Sequence, residues 1–268
     1  MNRKLIFRWI KVIVLIYSVI GILFYYLQDK IFFHPQAVPL DSTYSFTAPY
    51  KEHNIPYNER SVINIIQFTS DSIPKGVVLY FHGNRENIGR YANNAPEFTR
   101  HGYEIWMIDY PGFGKSTGDF TEQRLYEWAL QFYKLARARF APDSIIIYGR
   151  SLGSGIAAQL ASIRNCKALI LETAYYDFPS IAKTWLPVYP LSRMVHFKIP
   201  TWQYLQKVNA PITIFHGSSD GVISYRNCKK LKESLKPNDH FITVEGGSHN
   251  DLFKFPLTIQ KLDSILNR

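Results

Sequence analysis

The sequence predicts an α/β fold: a mostly parallel central sheet covered by helices on both faces, preceded by one N-terminal transmembrane helix. Three features lead to this reading. Short apolar runs alternate with helical stretches from about residue 60 onward, several of those runs end in Gly-containing loops, and a charge-free apolar run lies near the N-terminus. At 268 residues, 46% hydrophobic and 19% charged, the chain fits one globular domain plus something extra. Two Cys exclude a disulfide scaffold and a Cys-rich zinc module, and 15 Gly with 15 Pro exclude collagen-like and low-complexity chains. The net charge of +10 is spread without a block of five like charges, so it reads as solubility and proximity to a membrane rather than nucleic-acid binding.

Residues 12–27 carry no formal charge. Extended back to Leu5, the run makes about 34 Å of helix at about 1.5 Å per residue, enough for a hydrocarbon core of roughly 30 Å. Arg8 and Lys11 lie near its end, where long basic side chains reach the headgroups, and Trp9, Tyr25 and Tyr26 suit the interfaces. A cleaved signal peptide would share the basic start and apolar core, but bulky residues at 24–28 stand where a peptidase needs small ones. An uncleaved anchor over residues 1–30 is therefore expected. Arg3, Lys4, Arg8 and Lys11 precede the span, while Asp29 and Lys30 nearly cancel after it. That asymmetry leaves the N-terminus cytoplasmic and the rest on the exported side, periplasmic if the cell is bacterial.

Residues 31–50, with Pro35, Pro39 and Pro49, read as a linker, and residues 51–268 as the folded domain. Within it, 62–68 reads as a strand paired with the segment before the turn at Asn58-Glu59. Strands follow at 77–81, 103–108, 144–148, 168–171, 212–215 and 241–244, and helices at 121–139, 152–163, 225–235 and 256–266. Asp119 and Glu122 are placed to form a capping box on the helix at 121.

Chemistry gathers at three strand ends. Gly149-Arg150-Ser151-Leu152-Gly153 lies between a strand and a helix, where a Gly-x-Ser-x-Gly turn projects its Ser alone above the sheet. Acyl transfer needs two N–H donors for the developing oxyanion. Leu152, after the nucleophile, and Asn84, in the loop Phe81-His82-Gly83-Asn84, are the candidates. Asp220 and His249 each follow a strand after the Ser, in the order acid then base. His249 would take the Ser proton and Asp220 would orient the ring, with Glu172 and Asp177 as alternative acids. His82 precedes the Ser and reads as a loop-tying side chain.

These motifs, together with Asp109-Tyr110-Pro111-Gly112-Phe113-Gly114-Lys115-Ser116 and Ser248-His249-Asn250-Asp251, resemble the α/β-hydrolase superfamily over most of residues 50–268. The anchor followed by Lys30-Ile31-Phe32-Phe33-His34-Pro35 resembles its small membrane-anchored branch. The resemblance implies the α/β-hydrolase fold and a serine hydrolase of the esterase, thioesterase or aminopeptidase-like kind, with Asp109 ordering its loop. An insert at about 172–210 holds Tyr175, Tyr176, Phe178, Trp185, Tyr189, Phe197, Trp202 and Tyr204 and forms a short aromatic-rich lid. Those rings would either wall an apolar pocket or pack onto the sheet.

No phosphate cradle, metal-ligand cluster or cofactor fingerprint is present, so no cofactor and no metal are expected. The expected substrate is a small or lipid-like acyl compound cleaved through an acyl-enzyme. The alternatives are a serine aminopeptidase-like enzyme, which needs an acidic group for the substrate amine, and a catalytically silent membrane-tethered scaffold.

Overall fold

The computed structural model describes residues 3–69 and 73–267. Its first element, α1 (Arg3–Phe32), is a 30-residue helix long and apolar enough to cross a membrane. Although its sequence is apolar on every face, one stripe is covered by protein: Gly21, Phe24, Gln28 and Phe32, at the three-to-four-residue spacing of a single helix face.

Eight strands form one sheet: β1 (Tyr50–Asn58), β2 (Ser61–Phe68), β3 (Gly76–Phe81), β4 (Tyr103–Ile108), β5 (Ile145–Arg150), β6 (Ala168–Glu172), β7 (Ile212–Gly217) and β8 (His240–Val244). Their spatial order is β8-β7-β6-β5-β3-β4-β2-β1, parallel except that β2 runs antiparallel to both β1 and β4. Strands β3 to β7 are buried along their whole length, which is why they read as continuous apolar runs rather than alternating ones. Alternate residues still serve different layers. Val77, Leu79 and Phe81 face α2 (Glu122–Arg137) and α3 (Leu152–Ile163), whereas Val78 and Tyr80 join Phe98, Tyr148 and the C-terminal α4 (Pro256–Leu266).

Helices α3 and α4 fall where the sequence puts them. The segment 225–235 divides into a short helix, Tyr225–Lys229, and a 3-10 turn, Lys230–Ser234. The cap of α2 also differs from expectation. Thr121, not Asp119, takes the N-cap, its Oγ1 accepting from the Arg124 N–H at 3.2 Å. Glu122 instead reaches the insert, accepting from the N–H groups of Lys198 at 2.5 Å and Ile199 at 3.2 Å.

The Pro-rich stretch after α1 runs across the domain. His34–Pro35 pairs in parallel with Arg85–Glu86, and Ala37 bridges Gly114. Asn84 Nδ2 donates to the Phe32 carbonyl, while the His34 N–H donates to the Asn84 carbonyl at 3.3 Å. The loop after β3 is thus held from outside by the first residues beyond the long helix.

Candidate active site

Strand β5 delivers Ser151 into a turn so tight that its backbone takes φ 51° and ψ −119°, a conformation costly for any residue with a side chain. Helix α3 starts at the next residue, leaving the Leu152 N–H among the first-turn donors that have no carbonyl within the helix. The flanking glycines are a steric requirement. A Cβ on Gly153 would lie 2.1 Å from the Phe81 carbonyl oxygen, and one on Gly149 would lie 2.4 Å from that of Gly153. The elbow is therefore wedged against the end of β3, which also brings Gly83 beside Ser151.

The loops after β7 and β8 are tied together by the Ser219 N–H, which donates to the Gly247 carbonyl at 2.9 Å. This places Asp220 Oδ2 2.8 Å from His249 Nδ1, and His249 Nε2 3.0 Å from Ser151 Oγ. With the ring proton on Nδ1 facing the carboxylate, Nε2 is left to accept from the Ser hydroxyl. Burial pushes the Asp220 carboxyl up. The His249 ring and the backbone N–H groups of Ile223 and Val222 outweigh that, so its pKa lies below the ordinary 3.8. His216, 3.6 Å from the same carboxylate, is driven below its ordinary 6.5 chiefly by burial, against the pull of Asp220; its Nε2–H donates to the Ile223 carbonyl at 2.9 Å.

The other candidates fall into separate roles. Glu172 is buried against Arg150 (3.4 Å) and accepts from the Tyr148 hydroxyl at 2.6 Å, and Asp177 caps the short helix Phe178–Ala182. His82 is fully buried: Nδ1 donates to the Gly83 carbonyl at 2.7 Å, Nε2 lies 3.1 Å from Asp109 Oδ1, and Tyr91 and Tyr110 flank the ring. Asp109 Oδ1 also accepts from the Ile88 N–H at 2.9 Å, which fixes the loop that carries Asn84. The Asn84 side-chain amide donates to the Phe32 carbonyl, so it is engaged away from Ser151.

A cavity of about 260 Å³ is lined by Gly83, Asn84, Tyr91, Ser151, Val222, His249 and Asn250, together with Arg85, Arg90 and Arg150. None of the insert's rings is among its lining residues, so the apolar wall held open by the sequence is not there. Phe178 and Phe197 pack on Phe33 instead, and Tyr176 stacks on Trp202. The three arginines were missed. Arg150 stands directly before the Ser and Arg85 directly after His82-Gly83-Asn84, so motif position alone would have exposed two of them. Arg150 braces the loop of His249 as well, donating to the His249 carbonyl at 3.2 Å and to Asn250 Oδ1 at 3.1 Å. Among the described residues, no group of three His, Cys, Asp or Glu side chains could hold a metal ion.

This strand order, with a strained Ser between strand and helix, is that of the α/β-hydrolase fold. A family model described as serine aminopeptidase, S33, matches residues 72–204, just under half of the chain. Among curated proteins, α/β-hydrolase domain-containing protein 17C of Xenopus tropicalis is 28% identical over 198 residues, covering 71% of this chain and 61% of that protein. The Homo sapiens protein of the same name is 27% identical, with 71% and 57% covered, so the match spans less than two thirds of these relatives. An esterase of Pyrococcus furiosus superposes with a TM-score of 0.67 at 15% identity, over 88% of this chain and 98% of its own. A bromoperoxidase from Bacillus anthracis gives 0.61 at 16%, over 82% and 100%, so the shared fold alone does not choose the chemistry. The chain is a member of the α/β-hydrolase superfamily.

Proposed function

We propose that the chain is a membrane-anchored serine hydrolase that cleaves an ester or thioester through an acyl-enzyme. The observation that carries this reading is the unbroken hydrogen-bond chain from Ser151 through His249 to Asp220. Ser151 Oγ attacks the acyl carbonyl as its proton passes to His249 Nε2, and Asp220 stabilises the imidazolium. The oxyanion is held by the main-chain N–H groups of Leu152 and Asn84. Collapse expels the alcohol or thiol, which takes the proton from His249. Water, deprotonated by the same ring, then releases the acid and restores Ser151.

The cavity wall argues for the substrate class. Arg90 is paired with Glu86 and Arg150 with Glu172, whereas Arg85 has no ion-pair partner among the described residues, and no carboxylate lines the cavity. Such a wall suits an acyl compound bearing an anionic group. An aminopeptidase needs a carboxylate for the substrate ammonium, and both candidates, Glu172 and Asp177, are engaged elsewhere. Helix α1 serves as the anchor, with its basic N-terminal end on the cytoplasmic side and the domain exported. The test is labelling with a fluorophosphonate, followed by a panel of acidic and neutral acyl esters, thioesters and aminoacyl amides. Stoichiometric labelling, with turnover of acidic esters or thioesters, is expected. A folded chain that never labels sinks the reading, and preference for aminoacyl amides reassigns the substrate.

A further inference from the structure

The insert between β6 and β7 does not stop at the end of α1 but descends along it. Gln28 Nε2 donates to the Met194 carbonyl at 3.1 Å, and Gln28 Oε1 accepts from the His196 N–H at 2.8 Å. Further toward the N-terminus, Tyr189 stacks on Tyr17 with centroids 4.4 Å apart and planes 2° from parallel. The Tyr189 hydroxyl donates to the Tyr17 carbonyl at 2.8 Å, and the Tyr17 hydroxyl to the Val188 carbonyl at 3.3 Å. Gly21 leaves room for this approach, since a Cβ there would lie 2.9 Å from the Tyr189 ring.

Tyr17 lies about 16 Å along the helix axis from Gln28, at about 1.5 Å per residue. A hydrocarbon core of roughly 30 Å takes about 20 residues of helix, and any such stretch placed between Leu5 and Lys30 contains Tyr17 well inside its boundaries. The insert makes its contacts at that depth, so a spanning α1 and a fully aqueous insert are incompatible. We propose that residues 184–192 are themselves immersed in the bilayer beside α1. This rests on the reading of α1 as a membrane span.

The chemistry of the segment fits lipid. Thr184-Trp185-Leu186-Pro187-Val188-Tyr189-Pro190-Leu191-Ser192 carries no charge, with Lys183 and Arg193 at its borders, where basic side chains reach headgroups. Trp185 is 60% exposed and Val188 71%, values that leave large apolar side chains facing water unless lipid covers them. Trp185 lies against Phe32, with centroids 6.0 Å apart at the end of the helix, a fitting position for an interfacial indole.

Irregular backbone enters hydrocarbon only when its polar groups are satisfied. The N–H groups of Thr184, Trp185, Leu186, Tyr189 and Leu191 all donate to carbonyls within the insert, and Pro187 and Pro190 have none to satisfy. Across 184–191 that leaves the Val188 N–H as the single one without a partner among the described residues. The segment is thus a short apolar turn, its N–H groups paired but for that of Val188, held on the anchor by paired tyrosines, and its occupant is the acyl region of a bilayer.

The test uses the full chain in phosphatidylcholine–phosphatidylglycerol vesicles. With Cys166→Ser and Cys228→Ala as background, Val188→Cys, Val14→Cys and Asn58→Cys are each labelled with an environment-sensitive fluorophore and exposed to lipids nitroxide-labelled on the acyl chain. Fluorophosphonate labelling of each variant reports that it remains folded. Positions 188 and 14 are both expected to be quenched at least about three-fold more than 58, as residues within the hydrocarbon core would be. Quenching at 14 with 188 behaving like 58 overturns the immersion and leaves the anchor standing. If 14 also behaves like 58, the spanning reading fails and the inference with it.

Discussion

Two His–Asp pairs stand at strand ends of the same sheet, in opposite surroundings. His249 with Asp220 and His82 with Asp109 have nearly equal separations, 2.8 and 3.1 Å. What separates them is the second ring nitrogen and the access to it. His249 Nε2 meets Ser151 at the edge of a cavity, whereas the corresponding second nitrogen of His82, Nδ1, donates to the Gly83 carbonyl inside the protein and aromatic rings cover the ring faces. A His–Asp contact is therefore no sign of catalysis by itself. The sign is a ring nitrogen left for a substrate-side partner.

The largest expected effect tests that distinction at its centre. Ser151→Ala and His249→Ala should each abolish fluorophosphonate labelling with thermal stability close to wild type, since neither side chain lies in the apolar core. His82→Ala should do the reverse. It removes a fully buried ring packed between Tyr91 and Tyr110, and emptying such a core position typically costs about 3–5 kcal/mol, read as a lowered unfolding midpoint. Equal and specific loss of labelling at His82, with His249 dispensable, would erase the comparison.

The acids extend the contrast. Asp220→Asn should slow turnover by about 10⁴ through loss of ring orientation. Asp109→Ala should mainly weaken the fold, because Asp109 also holds the Ile88 N–H. Chemical denaturation beside single-turnover kinetics separates the two outcomes.

A third histidine sharpens the point through pH. His216 has a folded-state pKa below its unfolded value near 6.5, so the unfolded chain binds more protons there. Stability should therefore fall as pH drops through about 6.5, and His216→Gln should flatten that slope between pH 7 and 5. Asp220, also depressed, contributes stability above its unfolded value of 3.8 that is lost at lower pH, outside this window. A slope unchanged in His216→Gln would mean that another group carries it. The smallest effect is at the cavity wall: Arg85→Ala should raise KM for acidic esters by about 2–5-fold, as expected for a solvated charge, and leave neutral esters unaffected.

The sequence disclosed these features unequally, for physical reasons. Strands buried on both faces betray themselves as unbroken apolar runs, so β4 (Tyr103–Ile108) is matched end to end. Ser151, Asp220 and His249 could be picked out because each follows a strand in the chain order that this fold imposes. The partner of the insert could not. Tyr17 and Tyr189 are 172 positions apart, and an aromatic residue carries no mark of which surface it will cover. The same holds for the stretch across Arg85–Glu86, which has only two paired residues and no periodicity to read. The cap at Thr121 was misplaced by two residues because Asp119 is an equally good cap by type, and only the actual helix start decides.

That two-residue pairing has a consequence for the order in which the molecule assembles. His34–Pro35 precedes every strand of the sheet in synthesis, yet its partner arrives 51 positions later, after β3 is complete. By then the preceding helix has been made, and the rest of the domain gathers around a strap already joined to it. Closing a loop of that length costs on the order of 3 kcal/mol in chain entropy, recovered only when the contacts around Asn84 form. The loop that carries Asn84 can therefore meet its strap before the segments bearing Ser151, Asp220 and His249 have been made. Whatever loosens that strap loosens the loop beside Ser151 as well, because the same few residues hold both.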